Sequence, residues 1–326
     1  MTTTLPPPVP FDPELTAALS AMGVPIPMTL TADMIPAMRA GGVIAWSSDE
    51  ELSRGGTYAV AERTVPGRAG DPDIALLICT PTGVAGARPC IYHTHGGGMI
   101  VGDNRTGLLG MLEEVERFGA VVVSVEYRLA PETRHPGPIN DCYAGLVWTA
   151  EHADELGIDP AKIIVAGGSA GGGLTAALAL MARDFGGPAL LGQMLLCPML
   201  DDRNDTVSAQ QMAGFGVWDQ QANETGWTAL LGDARGGPDV SPYAAAARAT
   251  DLSGLPPAYI DVGSAETFRD EDVDYATRIW QAGGHAELHV WPGGFHGFEG
   301  MAPAAKLSQD AKEPRKRWLD RLLSEA

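Results

Sequence analysis

From residue 89 onward this chain alternates. Short apolar runs give way to longer helical stretches: "PCIYHTH" to "LLGMLEEVERFG", "AVVVSVEYRL" to "INDCYAGLVWTAEHADELG", "KIIVAGG" to "AGGGLTAALALMAR", and "PAYIDVG" to "DEDVDYATRIWQAGG". "QMLLCPM" and "AELHVW" are further strand-like runs, and "TYAVAERTV" and "DIALLICTP" precede them all. Strands alternating with helices over short connections imply a mostly parallel sheet covered on both faces, an α/β fold. At 326 residues the chain allows one large α/β domain or two smaller ones.

Two regions break the rhythm. The first fifty residues carry short helical pieces, "PELTAALSAMG" and "TADMIPAMRAGG", with Met22, Met28, Met34 and Met38 and no strand. Residues 201–256 form a long helical or irregular connection with Met212, Phe215, Trp218 and Trp227. So long a connection inside a compact domain is usually a functional lid.

Charge narrows the partners. A net charge of −19 argues against nucleic acid and anionic membrane surfaces, which would repel it. "MTTTLPPPVPFDPEL" has neither the basic region nor the apolar core of a signal peptide. No run of about 18 apolar residues suggests a membrane span. Cys79, Cys90, Cys142 and Cys197 are widely spaced and read as buried free thiols of a reducing cytoplasm. The sequence admits a homodimer.

Five glycines surround one serine in "IIVAGGSAGGGL". Glycine costs backbone entropy when ordered, so this density needs a reason. A strand ending at Gly168 and a helix starting at Ala170 put Ser169 on the turn of a G-x-S-x-G elbow, its hydroxyl exposed above the sheet. Gly167 and Gly171 are expected where strand and helix approach too closely for a Cβ. With 41 glycines in the chain, the pentapeptide alone is weak evidence. No G-K-[ST] follows, which excludes a P-loop, and no acid stands about 20 residues on to complete a dinucleotide fingerprint.

The rest of the chain decides. A serine nucleophile needs a base, an acid to orient it, and donors for the developing oxyanion. In α/β-hydrolases the order is Ser, Asp or Glu, His. His296, in "WPGGFHGFEG" after the last strand, is the base candidate; His289 lies within a strand, His152 on a helix, His135 before a proline, and His285 starts a strand. In "HTHGGGM" the run His95-Gly96-Gly97-Gly98 matches an H-G-G-G oxyanion loop. Gly97, Gly98 and Ala170 are the expected amide donors, and His95 is expected to hold the loop. A metal site at the H-x-H pair finds no nearby cluster of ligands to complete it. In "DVGSAETFRDED", Glu266, Asp270, Glu271 and Asp272 offer the acid, and the other three read as solvated helix charges.

Together "HGGGM", "VSVEYRLAPE", "GGSAGG", "LPPAYIDVGSAETFRDED" and "GGFHGF" resemble the hormone-sensitive-lipase-like (bacterial family IV) carboxylesterases over roughly residues 75 to 300. The resemblance implies an α/β-hydrolase fold with a helical cap. It divides the chain into a cap segment at 1–50, a catalytic domain at 51–200 and 257–326, and a cap insertion at 201–256. It puts the nucleophile at Ser169, the base at His296, the acid at Glu266, and the oxyanion hole at Gly97, Gly98 and Ala170. Two departures stand out: Gly168 occupies the family's usual Asp position, and Glu266 its usual acidic Asp. Met28, Met34, Phe215 and Trp218 are candidate walls of a pocket for short-acyl esters, or else cap core. Neither metal nor cofactor is required. The same fold serves as a non-catalytic receptor where the histidine is lost, and His296 favours the enzyme. Amide or peptide hydrolysis is the enzymatic alternative.

Overall fold

The computed structural model describes residues 5–23, 26–40 and 46–324. Of the expected N-terminal segment, residues 1–4, 24–25 and 41–45 lie outside the described residues. Eight strands form one sheet: β1 Tyr58–Val65, β2 Ile74–Pro81, β3 Arg88–Thr94, β4 Val121–Glu126, β5 Ile158–Gly168, β6 Gly192–Leu196, β7 Ala258–Gly263 and β8 Ala286–Trp291. Their spatial order is β1-β2-β4-β3-β5-β6-β7-β8. Only β1–β2 and β2–β4 pair antiparallel; from β4 to β8 every pairing is parallel. The α/β-hydrolase fold expected from the sequence is the fold observed.

Residue chemistry explains the layers. Adjacent residues of a strand point to opposite faces. On β2, Leu76 and Ile78 therefore pack with Cys142, Leu146 and Leu178, while Leu77 and Cys79 pack with Leu108, Leu112 and Val115. Both faces are covered, so strands such as "VVVSV" need no polar alternation. The covering helices are Gly137–Glu151 and Ala170–Phe185 on one face, Leu108–Val115 and Lys306–Ser324 on the other. Each fully buried Leu or Val contributes ~1.5–3 kcal/mol, more than helix propensity gives any residue.

The helix Lys306–Ser324 has no counterpart in the sequence reading. Nearly half of its residues are charged and Pro314 interrupts them, which hides the narrow apolar stripe of Ala311, Trp318 and Leu319. Cys79, Cys90 and Cys142 are buried free thiols, and Cys197 is half-buried at the end of β6. No described helix is long and apolar enough to cross a membrane.

The two irregular regions meet. Thr29 Oγ1 donates to Asp219 Oδ2 (2.7 Å), Thr225 Oγ1 to the Leu30 carbonyl (2.8 Å), and the Met28 amide to the Gly216 carbonyl (3.0 Å). Phe11 stacks on Phe215 with ring centres 4.8 Å apart. Both regions reach the carboxyl ends of the parallel strands, where open α/β sheets bind ligands.

Candidate active site

Ser169 follows the last residue of central strand β5 and stands at φ +57°, ψ −125°, a conformation that L-residues avoid at ~1–3 kcal/mol. Three backbone hydrogen bonds hold it there. Its amide donates to the Leu196 carbonyl (2.8 Å), and its own carbonyl accepts from Gly173 (3.0 Å) and Met199 (2.9 Å).

The glycines around it do not act alike. A Cβ on Gly167 would lie 2.6 Å from the backbone of Gly171 and Thr94; on Gly171, 2.0 Å from the Thr94 carbonyl oxygen; on Gly173, 2.2 Å from that of Met199. These positions are glycine because backbones touch. Gly168 differs: the nearest atom to its Cβ would be 3.6 Å away, an ordinary contact. Close packing therefore does not explain Gly168.

The H-G-G-G loop lies against the elbow, since a Cβ on Gly96 would sit 3.5 Å from Ser169 Cβ. Gly97 and Gly98 adopt φ +120° and +60°, and no described group accepts from their amides or from that of Ala170. The loop is held from behind. His95 stacks on Tyr127 at 4.0 Å and its Nδ1 bonds the Gly96 carbonyl (2.8 Å); Tyr127 Oη donates to the His95 carbonyl (2.8 Å). His93 instead faces Ser124 Oγ (2.9 Å). Burial drives the two imidazoles down to about 3 for His93 and about 4 for His95, so both are neutral. His95 thereby braces the loop, whereas His93 ties β3 to β4.

His296 lies on the loop after β8. One ring nitrogen, Nε2, is 2.9 Å from Ser169 Oγ; the other, Nδ1, is 2.9 Å from Glu266 Oε1. Glu266 is buried, and its Oε2 accepts from the Gly263 amide (3.0 Å). Phe268 meets the imidazole edge-on at 5.1 Å. Asp270 is elsewhere: its Oδ2 accepts from the Ser208 amide (2.7 Å) and its Oδ1 from Arg269 (2.8 Å).

The expectation that the remaining acids are solvated fails for two of them. Glu271 and Asp272 are buried, on the inward face of the helix Arg269–Gln281. Glu271 Oε1 accepts from the amides of Leu200 and Asp201 (2.7 and 3.1 Å). Burial raises both carboxyls well above their ordinary range, and for Asp272 the nearby Glu271, Glu266 and Asp261 add to the rise.

Ser169 and His296 open into a cleft of about 500 Å³. The sequence did not point to its other walls: Met111, Glu113 and Glu114 of the helix Leu108–Val115, Cys197 after β6, and Lys312 and Arg315 of the C-terminal helix. No motif marks them, because their helices come from distant parts of the chain. Arg315 is buried and donates to Asp261 Oδ2 (2.6 Å), Glu114 Oε1 (3.1 Å) and Glu299. Burial pushes Glu299 up to about 7 against the pull of Arg315.

None of the four candidate pocket residues lines this cleft. Trp218 stands nearest to the reacting groups, its ring 6.3 Å from that of His296 and pressed against Gly98. Phe215 stacks on Phe11, Met28 is half-buried beside Gly216, and Met34 is 42% exposed.

Comparison with known proteins adds to this geometry. A family model described as alpha/beta hydrolase fold matches residues 91–300. The chain is 36% identical over 257 residues to carboxylesterase NlhH of Mycobacterium tuberculosis, covering 77% of this chain and 79% of that protein. It is 35% identical to the carboxylic ester hydrolase LipN of the same organism, over 73% of this chain and 64% of LipN. Among solved structures, a bacterial heroin esterase superposes with a TM-score of 0.87 at 39% identity, covering 96% of this chain and 98% of that one. Esterase LipW of Mycobacterium marinum superposes at 0.84 with 31% identity, covering 98% and 99%.

Proposed function

The chain belongs to the hormone-sensitive-lipase-like carboxylesterases of the α/β-hydrolase fold, and on that premise we propose that it hydrolyses short-acyl esters through Ser169, His296 and Glu266. It is a carboxylic ester hydrolase; the residues and the acyl preference are the proposal. One observation carries it: the unbroken chain Ser169 Oγ–His296–Glu266, with two contacts of 2.9 Å, beside amides that no described group occupies.

The chemistry follows from that chain. Glu266 holds Nδ1–H, so Nε2 carries the lone pair that takes the proton of Ser169. The serine oxygen attacks the ester carbonyl. The oxygen turning negative is met by the amides of Gly97, Gly98 and Ala170, each such donor being worth ~3 kcal/mol in the transition state. His296 returns the proton to the departing alcohol, and water then hydrolyses the acyl-enzyme by the same route. No metal or cofactor enters these steps.

Short acyl groups suit the cleft. At about 500 Å³, it is flanked by Glu113, Glu114, Glu299, Lys312 and Arg315. A long chain would press its methylenes against charged groups, which costs free energy for every CH₂ left unburied or every charge desolvated. The N-terminal region and residues 201–256 serve in this reading as a cap beside the oxyanion loop, with Trp218 as their contact to it. The test is a series of p-nitrophenyl esters from acetate to palmitate. We expect kcat/KM to peak at about six carbons or fewer, within a cavity of this class; a steady rise to palmitate would remove the short-acyl proposal.

A further inference from the structure

Cys197 has no part in the mechanism, yet it sits against the proposed triad. It follows β6 at φ +38°, a left-handed conformation uncommon outside glycine, and its amide donates to the Asp261 carbonyl (2.7 Å). The Cys197 thiol sulfur, a carboxylate oxygen of Glu266 and a ring nitrogen of His296 all lie within 4.8 Å of one another. Cys197 and His296 line the same open cleft, so an ion entering from solvent can reach both.

Several carboxyl groups surround this point. Burial raises the Cys197 thiol well above its ordinary range, and the neighbouring Glu266, Asp261, Asp272 and Glu299 add to the rise. Arg315 is already engaged by Asp261, Glu299 and Glu114. Asp272 is fully buried, and neither of its carboxylate oxygens has a hydrogen-bond partner among the described residues. Carboxyl oxygens beside the site are thus left without a donor.

We propose that Cys197, Glu266 and His296 form a zinc(II) site, and that zinc bound there reversibly silences the esterase. The donor set is right for it: zinc takes thiolate sulfur at ~2.3 Å, imidazole nitrogen at ~2.0–2.1 Å and carboxylate oxygen at ~2.0–2.2 Å, in tetrahedral sites. Ligands of such a site stand about 3.3–3.8 Å apart, so closure needs side-chain shifts of about an ångström. Three protein ligands leave the fourth position to water on the cleft side.

Binding displaces protons and makes no redox demand. Zinc takes the place of the thiol proton of Cys197, which leaves to solvent. It binds the Nδ1 side of His296, where Glu266 lies, and the proton of that nitrogen passes through solvent to Nε2. The ring stays neutral, but its lone pair is on zinc and Nε2 carries hydrogen, so it accepts nothing from Ser169. Silencing thus rests on His296 being the base, whereas metal binding does not.

The experiment uses the whole protein. Zinc is titrated into wild type, Cys197→Ser and Cys197→Ala, with ester hydrolysis normalised to each variant's own metal-free rate. Cobalt(II) is then added without substrate to read a near-ultraviolet thiolate-to-cobalt band. We expect the half-inhibitory zinc concentration to rise at least tenfold in both variants, since even outer-shell changes cost 10–100-fold in metal affinity. The cobalt band should appear in wild type and vanish with Cys197. Equal zinc sensitivity in wild type and variants, or no band in wild type, overturns the proposal. Should the variants not fold, the wild-type band alone decides whether a thiolate site exists. Absence of hydrolysis by metal-free wild type would instead count against the esterase mechanism, leaving the cobalt result to stand by itself.

Discussion

On one side of Ser169 the protein presents backbone, and on the other it presents side chains. The oxyanion side is Gly96–Gly98 and the elbow glycines, where a Cβ on Gly97 would fall 2.0 Å from the Val101 carbonyl oxygen and one on Gly171 2.0 Å from that of Thr94. The other side is His296 and Glu266, with Cys197 within 4.8 Å of both and Arg315 on the same cleft. The first side depends on atoms that are missing. The second depends on which functional groups are present. They should therefore fail differently: the backbone side to any added bulk, the side-chain side to changes of chemistry at constant shape.

The largest effect is expected where the two sides join. Ser169→Ala should lower kcat by roughly 10⁶, as loss of a nucleophile does in a triad that acts as a unit, while the fold persists. Circular dichroism with single-turnover kinetics checks this, and a folded variant within tenfold of wild type would end the mechanism.

The side-chain half is sharpened by two shape-preserving changes. Glu266→Gln should cost about 10⁴ in kcat, because the imidazole loses the partner that sets its tautomer. Asp270→Asn should stay within a few-fold, since its carboxylate meets Ser208 and Arg269 and not His296. The opposite ranking would move the acid to Asp270.

The backbone half is sharpened by a pair of equal additions. Gly97→Ala should cost roughly 10²–10³ in kcat, comparable with losing one oxyanion donor. Gly168→Ala, one residue before Ser169, should stay within about twofold in activity and stability, because its Cβ would meet Leu196 only at ordinary contact distance. If both variants behave alike, crowding is not what separates them.

The smallest effect concerns the acid beneath the site. Burial raises the Asp272 carboxyl well above its ordinary range, whereas in the unfolded chain it ionises above about pH 4. Its contribution is therefore most favourable below that pH and is lost as pH rises. Asp272→Asn should raise Tm near pH 8 by on the order of 2 °C, with the gain fading toward pH 4. Thermal unfolding at the two pH values checks the sign, and a lower Tm at pH 8 would contradict it.

Some of this was legible in the residues. The order Ser169, Glu266, His296 and the glycines of "HGGGM" and "GGSAGG" state a chemistry, because each motif is contiguous and its spacing is set by a local turn. Glu266 stands out from Asp270 by lying three residues past β7, where the chain leaves the sheet. Glu271 and Asp272 read as surface charges, because a helix start attracts acids whether or not its inner face is buried. Gly168 stands out by replacing the family's usual Asp, and only the space around it shows that crowding does not require glycine there.

Strand-helix alternation and the motif order determined the sheet, the family and the candidate residues of the site. Those are properties of short segments, written in local periodicity and turn chemistry. Only the tertiary structure decided the walls of the cleft, the burial of Glu271 and Asp272, the company of Cys197 and the crowding at each glycine. Those depend on which distant segments are brought together: Cys197 meets His296 across 99 positions, and Arg315 meets Glu114 across 201. No local pattern of residues encodes such a meeting, because it is set by how the helices pack on the finished sheet.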